Sequence, residues 1–193
     1  MSTLERVIDS STLAARVEEL GGEIADDYEG REPVVLGVLK GSVPFLADLS
    51  RHLPPGVEID FLSLHRFGTK GQVGISVDSG TSLAGRDVLV VEDIVDTGLT
   101  LTYLLDLLGT RQPSSLATVT LVDKRPRRIT EVPLEYRGFE VGDEFLLGYG
   151  LDWEGRYRNL DSIWAVLDIP AFAENPDLLA HEVFGTAPDR LGA

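Results

Sequence analysis

Three short apolar runs constrain the fold most. Val34 to Leu39 (VVLGVL), Val88 to Val91 (VLVV) and Leu116 to Val122 (LATVTLV) are too short for ordinary helices, and the first two are too continuously apolar for strands with one wet face. Strands covered on both sides read this way, and sheets covered on both sides are mostly parallel. Helical spacing lies between and before them. Leu13, Val17, Leu20 and Ile24 predict an amphipathic helix over roughly 11–27, and Phe45, Leu46 and Leu49 follow a Ser42 cap and Pro44. Leu101, Leu104, Leu105 and Leu108 predict a third helix, closed by Gly109. The order predicts an α/β domain built on a doubly wound, mainly parallel sheet.

Val57, Ile59 and Phe61 alternate as a further strand, and Phe145–Tyr149 and Ile163–Leu167 predict two short ones. Residues 65–86 turn polar and rich in Gly, Ser and Thr, with Val73, Ile75 and Val77 spaced for a short hairpin. So long a connection predicts a lid or binding loop.

In such sheets ligands bind beyond the carboxyl ends of the strands. Lys40-Gly41, the stretch from Glu92 to Thr100, and Lys124 all fall there. The 193 residues carry a net charge of −15, which argues against a basic face for nucleic acid or anionic membrane. An anionic substrate would therefore need local cations, and only three of the 17 basic residues are lysines: Lys40, Lys70 and Lys124. There is no cysteine, so disulfides, thiolate metal sites and a thiol nucleophile are excluded. The opening MSTLERVIDSS has no apolar core, so no signal peptide is expected, no run is long enough to span a bilayer, and a cytoplasmic location is expected.

The densest chemistry lies in VLVVEDIVDTGLTL, Val88 to Leu101. Asp96-Thr97-Gly98-Leu99-Thr100 joins a strand to a helix, so Gly98, two hydroxyls and the free amides of a helix N-terminus can cradle a phosphate monoester. The same residues also suit a plain N-cap turn, and the turn alone does not choose between the two. It lacks the lysine and glycine spacing of a Walker loop. Glu92 and Asp93, adjacent at a strand end, point to opposite sides. Two anions beside a phosphate repel it unless Mg2+ or ligand hydroxyls intervene, and a sugar phosphate with magnesium meets both needs.

These residues resemble the phosphoribosyl-pyrophosphate (PRPP) motif of type I phosphoribosyltransferases and, more narrowly, hypoxanthine-guanine phosphoribosyltransferases. VLKGSVPFLADL, VEDIVDTGLTL, LVDKRPRR and GFEVGDEFLLGYGLDWEGRYRNL match in order, over roughly Val34 to Leu167. The resemblance implies a phosphoribosyltransferase domain over 1–169 with a small hood, a mobile loop at about 65–86 and a C-terminal extension over 170–193. It implies transfer from PRPP to a 6-oxopurine, hypoxanthine or guanine, releasing pyrophosphate, with Mg2+ and assembly as a homodimer or homotetramer.

By position, Asp96 to Thr100 would hold the 5′-phosphate, with Asp96 also the acid/base. Glu92 and Asp93 would face the ribose hydroxyls, directly or through the metal. Lys40 and Gly41 would bind pyrophosphate, after a peptide often cis in this family. Lys124 would donate to the 6-oxo group, Phe145 would stack on the base, and Leu146 would offer its backbone to the base edge. Asp152 would help hold a second magnesium, and Arg158 would bind pyrophosphate. Taken alone, Phe145 suits a core position, and Asp152 with Arg158 an ordinary surface pair.

Relatives usually carry Ser-Tyr in the mobile loop, where this chain has His65-Arg66-Phe67, and Leu99 stands where a polar residue is common. Leu178, Leu179, His181 and Val183 predict a short helix in the tail, packing on the core or a partner. Two other readings stand beside the salvage enzyme. One is a nucleotide-sensing RNA-binding regulator on the same fold, with Arg125, Arg127 and Arg128 as its small basic cluster. The other is a phosphoribosyltransferase preferring xanthine.

Overall fold

The apolar runs become the middle of a six-stranded sheet. In the computed structural model, which describes residues 3–67 and 72–184, the strands are β1 (Leu4–Ile8), β2 (Val34–Leu39), β3 (Glu58–Phe67), β4 (Gln72–Val77), β5 (Asp87–Val95), β6 (Ser115–Asp123), β7 (Tyr136–Glu140), β8 (Phe145–Leu147) and β9 (Ile163–Val166). The helices are α1 (Ser10–Asp27), α2 (Val43–Leu49), α3 (Leu99–Gly109), α4 (Ile169–Glu174) and α5 (Leu178–Phe184). The large sheet runs β4-β3-β2-β5-β6-β7, parallel throughout except for β4, and a separate antiparallel sheet β1-β9-β8 forms a hood.

Each central strand feeds two cores, which is why its apolar run is unbroken. Val35, Leu89, Val91, Val119 and Leu121 face Leu13, Val17, Leu20, Phe45 and Leu49 of α1 and α2. Their neighbours Val34, Leu36, Val88 and Val90 face Leu101, Leu104 and Leu108 of α3. Full burial of each such side chain contributes about 1.5–3 kcal/mol, so the two-sided pattern fixes β2 and β5 in the centre. From β2 the chain crosses to β3 on one side, and from β5 it crosses to β6 on the other. The carboxyl ends of β2 and β5 therefore flank the switch point, where loops diverge and leave a crevice.

The structure departs from the sequence pattern in four places. The strand predicted at Val57 to Phe61 starts at Glu58 and runs on to Phe67, because β4 pairs with its second half from Ser63–Val77 to Phe67–Gln72. Much of the predicted loop is thus a hairpin, and residues 68–71, with Lys70, lie outside the described residues. Ser42 sits at the N-cap of α2 but does not cap it; its hydroxyl instead donates to the Val38 carbonyl at 2.7 Å. β1 and β7 have no clean alternation and draw their order from β9 and β6. The tail makes two helices, α4 and α5, and its fully buried Phe172 and Leu179 pack on Leu4, Leu147, Trp164 and Val166 of the hood.

β7 lies so close to β6 that a Cβ on Gly138 would sit 2.4 Å from the Leu121 carbonyl oxygen. Backbone cannot yield there as a side chain can. Gly138→Ala should therefore lower unfolding stability in urea by about 1–3 kcal/mol. A loss below about 0.5 kcal/mol would contradict this packing.

Candidate active site

At the end of β5 the chain turns through Asp96 to Gly98 into α3. Gly98 adopts φ +83°, and a Cβ there would meet the Thr130 carbonyl oxygen at 2.5 Å, so only glycine fits. The segment after Lys124 supports this turn from below: the amides of Ile129 and Thr130 donate to the Thr97 carbonyl at 2.9 and 3.2 Å. α3 begins at Leu99, whose side chain is exposed and whose amide donates to the Thr97 hydroxyl at 3.4 Å. A cavity of about 490 Å³ opens over the turn, lined by Val38, Leu39, Glu92, Ile94 and residues 95–101. Amides at a helix N-terminus facing such a cavity make an anion site.

Glu92 and Asp93 point to opposite sides, as adjacent strand residues must. Glu92 lines this cavity, and Asp93 lines a second one of about 420 Å³. Burial first, and then the Asp93 charge, push the Glu92 carboxyl well above the ordinary carboxylate range. Burial also raises Asp93, to about 6, against the lowering effect of the Asp93 and Ile94 amides and Arg158, while Asp152 reinforces the rise. Both acids therefore lack adequate positive compensation. Among the described residues no group of three acids or histidines is placed to enclose a metal. The donor set suits magnesium completed by substrate oxygens rather than a cage of protein ligands.

Two loops close around Asp93. The Leu39–Lys40 peptide is cis, and Lys40 is exposed. A Cβ on Gly41 would fall 1.6 Å from Asp93 Oδ2, so the carboxylate occupies the space any side chain at 41 would need. Gly150, at φ +103°, would in turn place a Cβ 1.9 Å from the Gly41 carbonyl oxygen. Gly150 opens the loop that carries Asp152 and Arg158. Arg158 Nη2 pairs with Asp152 Oδ1 at 2.7 Å, and its Nη1 donates to the Gly150 carbonyl at 2.6 Å. Tyr149 Oη ties the loop to α2 through Asp48 Oδ2 at 2.6 Å.

The second cavity is lined by Asp93, Ile94, Asp96, Lys124, Arg127, Phe145, Leu146, Leu151 and Asp152, among others. Lys124 follows β6, is buried, and donates from Nζ to the Glu144 carbonyl. Burial lowers its pKa, opposed mainly by Asp96. A buried ammonium, an aromatic ring and backbone amides suit a flat oxo-heterocycle. Ile94 and Asp96 line both cavities.

All the expected residues except Lys40, Gly41 and Arg158 line one cavity or the other; Arg158 reaches the second through Asp152, and Lys40-Gly41 closes over Asp93. Phe145 lines the second cavity, so it belongs to the wall rather than to the core alone.

Sequence reading missed two partners. Arg127 Nε pairs with Asp96 Oδ1 at 2.6 Å, so the carboxylate expected to handle the proton is held by a cation 31 residues away. Arg128 is buried against Asp123, which also pairs with Arg137 Nε at 3.0 Å. Arg128 is thus buried in its pair, while Arg127 stays 47% exposed beside Asp96. A larger cavity, about 810 Å³, lies between β1, residues 159–162, Trp164 and the end of α5 and shares no lining residue with the other two.

Residues 4–154 match the model of the phosphoribosyl transferase domain. The hypoxanthine-guanine phosphoribosyltransferase of Bacillus subtilis is 43% identical over 165 residues, covering 83% of this chain and 92% of the relative. The bifunctional protein TilS/HprT of Listeria monocytogenes is 45% identical over 161 residues, and there the match spans only 25% of the relative's length. Among solved structures, a hypoxanthine-guanine phosphoribosyltransferase of Bacillus anthracis is 43% identical with a TM-score of 0.81, covering 84% of this chain and 98% of that one. The Gly98 turn, the twin cavities and these matches together make the chain a member of the phosphoribosyl transferase domain family, within its hypoxanthine-guanine phosphoribosyltransferases.

Proposed function

We propose that the chain transfers the phosphoribosyl group of PRPP to hypoxanthine, guanine or both, forming the nucleoside 5′-monophosphate and pyrophosphate. One observation carries this reading beyond family membership: an amide-rich anion cavity and a cavity walled by Lys124 and Phe145 share Ile94 and Asp96. A sugar phosphate in the first and a heterocycle in the second meet beside one carboxylate.

In this reading the 95–101 turn and its amides hold the 5′-phosphate, while Glu92 and Asp93 face the ribose hydroxyls. Lys40, Gly41 and Arg158 receive pyrophosphate. Lys124 donates to the 6-oxo group, Phe145 stacks on the ring, and Leu146 offers backbone atoms to its edge. Asp96 accepts the proton released as the purine nitrogen bonds to C1′, and Arg127 keeps that carboxylate turned toward the base. Glu92, Asp93 and Asp152 would hold Mg2+, whose chemistry when bound is to neutralise pyrophosphate as it leaves. Fixed dipoles and pre-formed orientation then supply most of the rate. A cytoplasmic location and assembly as a homodimer or homotetramer belong to the same reading and rest on the family alone.

The test is nucleotide formation from PRPP and Mg2+ with hypoxanthine, guanine and xanthine side by side. Nucleotide with hypoxanthine or guanine is expected, preference for xanthine would change the base assignment, and no product with any of them would sink the reading. In the same assay Asp96→Asn should lower kcat on the order of a hundredfold with KM for PRPP within about twofold. An unchanged kcat would remove Asp96 from the proton's path.

The raised carboxyls also predict a stability effect. Asp93 binds its proton more tightly folded, near 6, than at its ordinary 3.8. The metal-free protein is therefore stabilised by protonation of this group at low pH, and that contribution is lost as pH rises from 3.8 through about 6. At pH above 7, Asp93→Asn should raise the metal-free Tm by about 2–4 °C, equivalent to about 1 kcal/mol. A lowered Tm would show that the carboxylate is compensated.

A further inference from the structure

The base cavity has a wall that the family pattern does not assign. Ile169, the first residue of α4, lines it directly, and it also lines the shallow hollow next to it with Phe145 and Pro170. Its side chain is 45% exposed, and it stands at the rim between the two. Asp168 fixes this position, because its Oδ1 caps α4 by accepting from the Ala171 amide at 3.0 Å.

Behind the rim runs a chain of rings. Phe145 meets Trp153 edge-to-face at 5.4 Å and 79°, and Trp153 meets Phe172 of α4 edge-to-face at 5.3 Å and 87°. Phe172 is fully buried and is touched on its other side by Tyr157 at 6.3 Å. Edge-to-face pairs fix ring planes as well as distances. The orientation of Phe145, whose face the purine would use, therefore depends on Trp153, and that of Trp153 on a residue of the C-terminal arm.

Polar ties hold the arm to the same loop. Arg156 pairs with Asp177, Tyr157 Oη donates to the Pro176 carbonyl, and Arg156 lies over the Tyr157 ring at 5.0 Å. Both residues sit between Asp152 and Arg158. Tyr157 and Glu154 of this loop adopt positive φ, a conformation that persists where the surroundings impose it.

We propose that the C-terminal arm is a working part of the purine subsite: Ile169 closes its rim, and Phe172 acts as a positioning residue that sets Phe145 through Trp153. This rests on the assignment of the second cavity to the base. Ile169 and the ring chain serve the half of the reaction that recognises the heterocycle, while the 95–101 turn of the PRPP half is built on β5 and α3. Base recognition in this chain therefore reaches past residue 169.

The experiment compares steady-state kinetics of the full chain with Ile169→Ala, Ile169→Val and Phe172→Leu, varying hypoxanthine and PRPP separately. Ile169→Ala and Phe172→Leu should raise KM for hypoxanthine about three- to tenfold while leaving KM for PRPP within about twofold. Ile169→Val, which keeps the branched wall, should stay near wild type. Unchanged KM for hypoxanthine in both variants overturns the proposal. Equal rises in both KM values also overturn it, since they would mean that the arm only stabilises the fold. Wild-type chain that makes no nucleotide from any 6-oxopurine would overturn the reading of the site, and the arm's role with it, before any variant is compared.

Discussion

Glu92 and Asp93 lie at the mouth of a central strand with most of their water removed, and among the described residues the cation that acts on Asp93, Arg158, does not offset that burial. Such a pair raises the energy of the empty site, and it does so in a chain already carrying −15. The surrounding architecture can be understood as what keeps this pair in place. β5 is pinned by burial on both faces, so its end cannot move outward to relieve the charge. Gly41 and Gly150 let two loops pack over Asp93 where any side chain would collide. In the proposed reading, a ligand that brings metal and hydroxyls would supply the compensation that these two carboxyls lack.

Around that point the fold divides the work. In the proposed reading α3 and the turn before it offer amides to an anion, and the 123–130 segment supports that turn from below through Thr97 and Gly98. The hood lends Phe145 and Leu146 to the second cavity, which the proposed reading gives to a heterocycle. Asp96 and Ile94 stand between the two halves, and Arg127 holds Asp96. Loops diverging at a switch point supply all these groups without disturbing the sheet, so the chemistry is set by short segments on a rigid base.

How much of this was legible in the sequence follows from how local each feature is. β2 and β5 could be read because burial on both faces leaves unbroken apolar runs, β6 because its run is apolar but for Thr118 and Thr120, and the helices because their apolar stripes repeat every three or four residues. The Glu92 to Thr100 cluster stood out because polar residues interrupt such a run at its ligand-binding end. β1 and β7 did not, because edge strands of mixed polarity owe their order to partners far along the chain. The same holds for the Asp96–Arg127 pair, which closes 31 residues of chain, and for the rings linking Phe145 to Phe172. The length of β3 was hidden for a related reason: polar Ser, His and Arg positions become strand only because β4 folds back on them.

The central claim is that the paired carboxylates make the site dependent on a cation-bearing sugar diphosphate. Calorimetric titration of PRPP into the protein above pH 7, with and without Mg2+, tests it most directly. The account predicts that binding is at least about tenfold tighter with the metal, a difference of about 1.4 kcal/mol or more. Equal affinity in the two conditions would contradict it, since the carboxylates would then already be compensated by the chain itself.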